Sequence, residues 1–317
     1  MRKIFITLIL MLSIFSIANA HPFKSEKELQ DFYAKIDKEV DKELKKDYVK
    51  IFEQRKANLK EKASDDVTEK NLEDDEYLFI LKNGKLEMVF KKEILNGKFR
   101  TLSRLYENGK KSRIVCLSAG NPAYYGTVKY FRENGTPLYS GQFYDGKMEG
   151  MYKEYYKSGK LLMESHFSND KENGTEKIYY ENGKISSIKN YKDGKANGEY
   201  IEYYTNGKLK LKGSYKNGLG QGEYIWYYEE GSIRQKAFYK DDKIEGQVLW
   251  YFPSGKIAQT VNYMNGKREG ELIEYYENGK VKEKRFYIND KEEGKSLFYD
   301  EKGNLIKTEI YKNDVKQ

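Results

Sequence analysis

The sequence predicts a mainly β fold: an elongated meander of antiparallel β-hairpin repeats, solenoid-like, with a 24-residue period and an N-terminal α-helix. Three observations carry that prediction. Glycines recur at Gly126, Gly150, Gly174, Gly198, Gly222, Gly246, Gly270 and Gly294, and a second series from Gly135 to Gly303 keeps the same period nine residues behind. Within each period, runs rich in Tyr, Ile and Leu flank a short polar turn such as Asn206-Gly207, the strongest local hairpin signal a sequence carries. Upstream, the apolar spacing switches to three- and four-residue steps, the signature of a helix. A fixed period of this length marks an array in which each unit packs on its neighbours.

At the N-terminus, Arg2 and Lys3 precede an apolar run, Ile4 to Ile17, closed by Ala18-Asn19-Ala20. A charged start, a short apolar run and a small-x-small site read as a secretory signal peptide over residues 1–20, cleaved before His21. The run falls short of the roughly 20 residues a bilayer span needs. The expected product is exported: periplasmic, cell-surface or secreted. Ser25 and Glu28 then have capping-box spacing. Leu29, Phe32, Ile36, Val40, Leu44, Ile51 and Leu59 form one apolar stripe on a highly charged helix over residues 21–62. Such a stripe needs a cover, either the first hairpin, whose edge it would hide, or a coiled-coil partner. Residues 63–76 are acidic, poor in apolar side chains, and read as a linker.

Residues 77–317 hold about nine to ten copies of the repeat. A two-residue type I′ turn at Asn-Gly sets the column six after the first glycine (Tyr156, Tyr180, Tyr204, Tyr228, Phe252, Tyr276) against the column eleven after it (Leu161, Ile185, Leu209, Ile233, Ile257, Val281, Leu305). The same register sets each first glycine opposite a ring, Phe167, Tyr191, Tyr215, Tyr239, Tyr263 or Tyr287, over which the ring can lie. The adjacent file, Tyr155, Tyr179, Tyr203, Tyr227, Tyr251 and Tyr275, then points to the other face. A three-residue turn with a bulge would exchange the two files. Asp145, Asn169, Asp193, Asn217, Asp241, Asn265, Asn289 and Asn313 read as turn residues that tolerate left-handed backbone. Cys116 to Pro122 lacks the usual strand-and-turn phrase and reads as a cap or kink.

The phrase Gly-x-x-x-x-Tyr-Tyr-x-Asn-Gly-Lys, followed by Tyr191-Lys-Asp-Gly-Lys-x-x-Gly198, resembles the bacterial variant of the MORN repeat found in YwqK-type antitoxins. The resemblance runs from about Tyr77 to the C-terminus. It implies a β-repeat scaffold. Its YwqK-type members imply a toxin-neutralising role, and MORN repeats at lipid headgroups imply a membrane-surface role.

Motifs for chemistry are sparse. The chain has no P-loop, G-x-S-x-G, C-x-x-C or H-E-x-x-H sequence, one cysteine (Cys116) and two histidines (His21, His166). No disulfide can form within one chain, and the expectation is a protein that is not an enzyme and uses no cofactor and no metal. Asn169 to Gly174 and Asn289 to Gly294 gather oxygen ligands, but calcium needs 6–8 of them and a lysine stands in the middle of each. The repeats carry a net charge of +10, with 43 basic and 33 acidic residues alternating in sign. That pattern fits a solvated surface and allows an anionic membrane surface; no specific nucleic acid is expected. Trp226 and Trp250, the only tryptophans, lie one period apart, four residues after their glycines, on the face expected to carry Tyr228 and Phe252. These four residues are the candidate binding patch. The reading is an exported, non-enzymatic scaffold for protein–protein or cell-envelope interactions; a toxin-neutralising or lipid-surface module is the alternative.

Overall fold

The computed structural model describes residues 27, 28, 31, 34, 38, 42, 45–62, 69–74, 76–94, 99–105, 111–118, 125–144 and 146–317. The expected signal peptide and the stripe residues Leu29, Phe32, Ile36, Val40 and Leu44 lie outside this set. Two compact units divide the chain, Met1–Glu172 and Asn173–Gln317.

In the first unit the backbone is helical at Lys27, Glu28, Asp31, Ala34, Lys38 and Lys42. Helix α1 (Tyr48–Arg55) follows, started by Asp47, whose side chain accepts the Lys50 N–H at 3.1 Å. A 3-10 turn, Lys56–Asn58, ends the helical region before Lys62. Strand β1 (Lys60–Lys62) pairs with β2 (Glu69–Glu73), β2 with β3 (Tyr77–Lys82), and β3 with β4 (Lys85–Ile94), all antiparallel. Both boundaries therefore change: the helical stretch does not reach residue 62, and the expected linker contains a strand. Charged sequence hides β2, which lies between β1 and β3 and offers only Leu72 to the core, leaving no apolar alternation to read.

Tyr48 and Phe52 of α1 pack on Tyr77, Phe79 and Val89, with Ile51 and Leu59 against the same cluster. The described end of the stripe thus covers the β3–β4 hairpin, but it covers a face; the edge is taken by β2 and β1. Arg55 locks the corner. It bonds Asp74 at 2.9 Å and Glu76 at 2.8 Å, and its guanidinium lies 4.9 Å from the Tyr77 ring centre. Beyond β4, strands Phe99–Leu105, Lys111–Ser118, Tyr125–Phe131, Pro137–Tyr144, Lys147–Tyr155 and Leu161–Ser168 continue the antiparallel meander. Cys116 to Ser118 lies in a paired strand, with Cys116 opposite Thr101 and Thr127, so the expected irregularity cannot begin there.

The second unit is the repeat in its most regular form. Strands Gly198–Tyr203 (within Lys195–Tyr203) and Leu209–Lys216 make one copy, and Gly222–Tyr227, Ile233–Lys240, Gly246–Tyr251 and Ile257–Met264 make the next two. The expected register holds through the body of each hairpin: Gly198 faces Tyr215, Gly222 faces Tyr239, Gly246 faces Tyr263 and Gly270 faces Tyr287. It fails at the first turn. The Gly207 N–H donates to the Tyr204 carbonyl and the Tyr204 N–H to the Lys208 carbonyl, both at 2.8 Å, enclosing three loop residues. Only Gly207 takes a positive φ, 92°, while Asn206 does not. Asn206 serves instead by accepting the Lys208 N–H on its side-chain oxygen at 2.8 Å.

A bulge follows, since Glu202 faces Leu211 but Tyr203 faces Leu209. The turn shortens the register by one and the bulge restores it. In consequence the tyrosine five after the glycine, not the one six after, faces the aliphatic column: Tyr203 with Leu209, Tyr227 with Ile233, Tyr251 with Ile257. The type I′ turn sits at the other end of the copy. Both residues are left-handed there, as in Asp193-Gly194 (51° and 80°) and Asn265-Gly266 (52° and 83°). This is the role read for the Asn/Asp series.

Buried Leu211, Tyr224, Ala237, Val248, Val261 and Leu272 fall on one face by strand alternation, and form the packed side of this unit.

Candidate functional site

Many of the side chains that recur along the array are committed to the next copy. Tyr180, Tyr204, Tyr228 and Tyr276 donate their hydroxyls to the carbonyls of Tyr203, Tyr227, Tyr251 and Tyr299 at 2.6–2.8 Å. Lys184, Lys208, Lys256 and Lys280 reach backbone carbonyls of the following first turn. At the second turn, the Glu245, Glu269 and Glu293 carboxylates accept the N–H groups of Asn265, Asn289 and Asn313 at 2.8–2.9 Å. Asp290 accepts the Arg268 N–H at 2.8 Å, a bond that, with the Arg268 side chain, holds its carboxyl below the usual range. In the two turns that gather oxygens, Asp170, Asp290 and Glu293 accept the N–H groups of Met148, Arg268 and Asn313, and Asn169 accepts from the Lys147 ammonium. Among the described residues no three His, Cys, Asp or Glu side chains group as a metal site.

The candidate residues separate on this test. Tyr228 is one of the inter-copy hydroxyl donors. Phe252 occupies the equivalent place without a hydroxyl, and is half-buried at the turn, where its N–H donates to the Lys256 carbonyl at 2.8 Å. Trp226 and Trp250 lie on the packed face and are half-buried. Trp226 rests against Tyr224 and Tyr239, with ring centres 5.9 and 6.4 Å away, and those two tyrosines are 4.7 Å apart. Trp250 packs with Tyr263 on the cluster of Val261, Leu272 and Tyr287.

The strand register joins the two tryptophans into one row. Leu211 faces Trp226, Trp226 faces Gln235, Gln235 faces Trp250, Trp250 faces Gln259, and Gln259 faces Glu274. Gln259 donates to Glu274 at 3.1 Å. Gln235 and Gln259 escaped the sequence reading. Their column, thirteen after the first glycine, reads Ser187, Leu211, Gln235, Gln259 and Glu283, and its variation is the signal that could have found them.

Charge closes the row at both ends. Glu202 takes Lys210 at 2.8 Å and the Tyr200 hydroxyl; burial would raise its carboxyl, but those bonds outweigh burial and hold it low. Burial, with the bond to Glu202, pushes the Tyr200 hydroxyl far above its ordinary value, so it stays neutral and donates. Lys189 lies 4.9 Å from the Tyr200 ring centre and 5.7 Å from that of Tyr215. On the other side Glu274 takes Lys282 at 3.4 Å, and buried Glu283 takes Arg285. Between them lie the Trp226 and Trp250 indoles and the Gln235 and Gln259 amides.

No helix among the described residues is long and apolar enough to cross a membrane. Comparison with known proteins identifies a repeat family. The family model of the MORN repeat variant fits seven consecutive segments, residues 148–169, 172–193, 196–217, 221–241, 244–265, 268–289 and 292–313. No curated protein matches the chain. Among solved structures, the TcdB2-TccC3-TEV crystal structure aligns over 75% of this chain at 10% identity and a TM-score of 0.22; the alignment spans 15% of that chain. Such a score supports no inference. The seven segments coincide with the hairpins and inter-copy bonds described above, and the chain belongs to the family of MORN repeat variant proteins.

Proposed function

We propose that the protein is an exported, non-enzymatic scaffold whose repeats present a copy-specific surface to a component of the cell envelope. MORN repeats build scaffolds for protein or membrane interactions. One observation supports the finer reading: residues that recur most along the array are used to hold copies together, as the Tyr204 and Tyr228 hydroxyls do at 2.7 and 2.8 Å. Recognition then falls to positions that differ between copies, and Trp226 and Trp250 are the largest of these. Export rests on the signal peptide read over residues 1–20. The test pairs two measurements. Mass spectrometry of the exported protein should find a first residue His21. Capture of an envelope component by the mature chain should be lost in the Trp226→Glu, Trp250→Glu variant while its circular dichroism stays unchanged. Retained Met1, or capture indifferent to both substitutions, would overturn it.

A second reading, docking on an anionic membrane surface, draws on the opposite face. Phe238, Met264, Phe286, Ile288 and Ile310 are exposed there near the second turns. Exposed Lys240, Lys243, Lys267 and Lys291 stand in the same rim, with Met264 facing Lys267 and Ile288 facing Lys291. Apolar side chains among lysines suit a headgroup layer. Cosedimentation with phosphatidylglycerol vesicles, weakened by Phe238→Ser with Phe286→Ser, would favour it; equal binding to neutral phosphatidylcholine vesicles would not.

A further inference from the structure

We infer that the row Trp226–Gln235–Trp250–Gln259 is a platform for an uncharged, extended β-linked polysaccharide. Pyranose rings would stack on the two indoles, and ring hydroxyls would bond to Gln235 and to the Gln259–Glu274 pair. The inference rests on the reading that Trp226 and Trp250 form the partner-facing patch, and it names the ligand class. Spacing is the first argument. The two tryptophans face the same strand residue, Gln235, from either side, so they are two strand steps apart, ~9.6 Å at the usual inter-strand distance. An extended β-1,4-linked glycan repeats by the disaccharide on about this scale, and every second ring presents the same face. Two indoles on one sheet face at that interval meet equivalent rings.

Hydrogen-bonding chemistry is the second argument. A glutamine amide carries donors and an acceptor together, matching a hydroxyl that does both. The Gln235 side chain makes no hydrogen bond within the described protein, whereas Gln259 is oriented by Glu274 at 3.1 Å. Charge is the third. Between Glu202 and Glu274 the row carries no ionised group, in a chain of which 34% is charged. The carboxylates at its ends are each paired with a lysine, Glu202 with Lys210 and Glu274 with Lys282, so neither end offers an unpaired cation to a phosphate or sulfate polymer. Finally, the fold does not require the indoles, because sister copies place Glu154, Ile178, Glu202, Glu274 or Phe298 at the same position.

Titration of the full chain with chitohexaose and cellohexaose, followed by tryptophan fluorescence and calorimetry, tests the proposal. Saturable binding is expected to at least one of them. Gln235→Leu should weaken it at least tenfold and Trp226→Leu should abolish it, each with unchanged melting; heparin should not compete. Should Trp226→Leu fail to fold, Gln235→Leu alone decides, since its side chain is only half-buried. No saturable binding of either hexasaccharide, equal affinity after Gln235→Leu, or preference for heparin or for an extended peptide overturns the inference. The scaffold reading fails separately. If an envelope protein is still captured through Trp226 and Trp250 while no sugar titrates, the ligand class is wrong and the scaffold stands.

Discussion

Gly213 faces Tyr200 in its own hairpin and lies beside Tyr224 of the next, and the ring of Tyr224 occupies the space a side chain would fill. A Cβ added to Gly213 would lie 2.4 Å from both Cδ1 and Cε1 of that ring and 2.8 Å from Cζ. The ring cannot yield cheaply. Tyr224 is 6% exposed, its hydroxyl donates to the Ser214 carbonyl at 2.7 Å, and the tilted ring of Tyr239 packs against it with centres 4.7 Å apart. Gly213→Ala therefore overpacks a buried site, costing about 1–3 kcal/mol. If the ring swings out it also loses a hydrogen bond worth about 0.5–1.5 kcal/mol, bringing the expected total to about 1.5–4.5 kcal/mol. Left-handed strain does not enter, because the φ of Gly213 is not positive. The next rung supplies the control, for there Ala237 lies beside Val248 without conflict. Tyr224→Val should accordingly rescue Gly213→Ala, with a coupling above about 1 kcal/mol in a double-mutant cycle. Thermal and urea unfolding read by Trp226 and Trp250 fluorescence would measure both. Melting of Gly213→Ala within a degree of the natural protein, or simple additivity of the pair, would refute the packing argument.

Three further outcomes follow from the turns, the inter-copy bonds and the corner at α1. Gly207→Val forces a β-branched residue to φ 92° and should cost about 1–3 kcal/mol or more, whereas Asn206→Ala loses two exposed hydrogen bonds, from the Lys208 N–H and to Glu229, each at the low end of about 0.5–1.5 kcal/mol; a larger loss for Asn206→Ala than for Gly207→Val would contradict the turn assignment. Phe252→Tyr places a hydroxyl where four sister copies bond the next carbonyl, and should raise stability by about 0.5–1.5 kcal/mol, while Tyr204→Phe lowers it by a similar amount; urea unfolding of both would show the signs. Burial alone would raise the Asp74 carboxyl, but hydrogen bonds from Arg55 and from the Tyr77 and Glu76 N–H groups outweigh it and lower it. A lowered folded value stabilises above the unfolded range, near pH ~3.9, and is lost as pH falls through the folded value. Asp74→Asn should thus destabilise the protein at pH 7 and progressively less at acidic pH; a melting deficit that stays constant from pH 7 to pH 2 would contradict it.

The sequence made the hairpin body legible because its two constraints repeat in phase: a glycine that must face a ring, and alternation that must bury one side. It left the turns ambiguous for a physical reason. Asn-Gly suits a two-residue type I′ turn, where Asn takes the left-handed region, and equally a three-residue turn, where Asn caps the following N–H, as Asn206 does for Lys208. Only the bulge between Glu202 and Tyr203 pairing decides between them, and a bulge leaves no composition signal. The helix cap at Asp47 was also missed. Asp47 lies inside a long charged stretch where many residues could cap, and its role depends on Tyr48 and Phe52 turning toward Tyr77 and Phe79. Trp226 and Trp250 were found by rarity. Gln235 was not, since its significance arises only once strand pairing sets it between them.

Repetition in this chain therefore argues against function at the residues it singles out most. Tyr204, Asn206, Lys208, Glu245 and Asp290 recur because each closes a bond to an adjacent copy, and an array needs the same bond at each step. A ligand that contacted only those groups would compete with the architecture. The row on the packed face repeats no such bond from copy to copy, although Glu274 accepts one from Gln259, and the same place holds Glu202, Trp226, Trp250, Glu274 or Phe298. On the proposed reading, side-chain variation there would change what the sheet binds without changing how it is held. The Trp–Gln alternation is confined to adjacent rungs and bounded by the Glu202–Lys210 and Glu274–Lys282 pairs, so it has the extent of a site where a repeat consensus would continue. Moving the indoles to other rungs, as in Glu202→Trp with Trp250→Glu, keeps composition and ladder while changing the row around Gln235. If recognition depends on that row, such a variant should fold normally and bind differently; if it depends on the consensus, binding should not change.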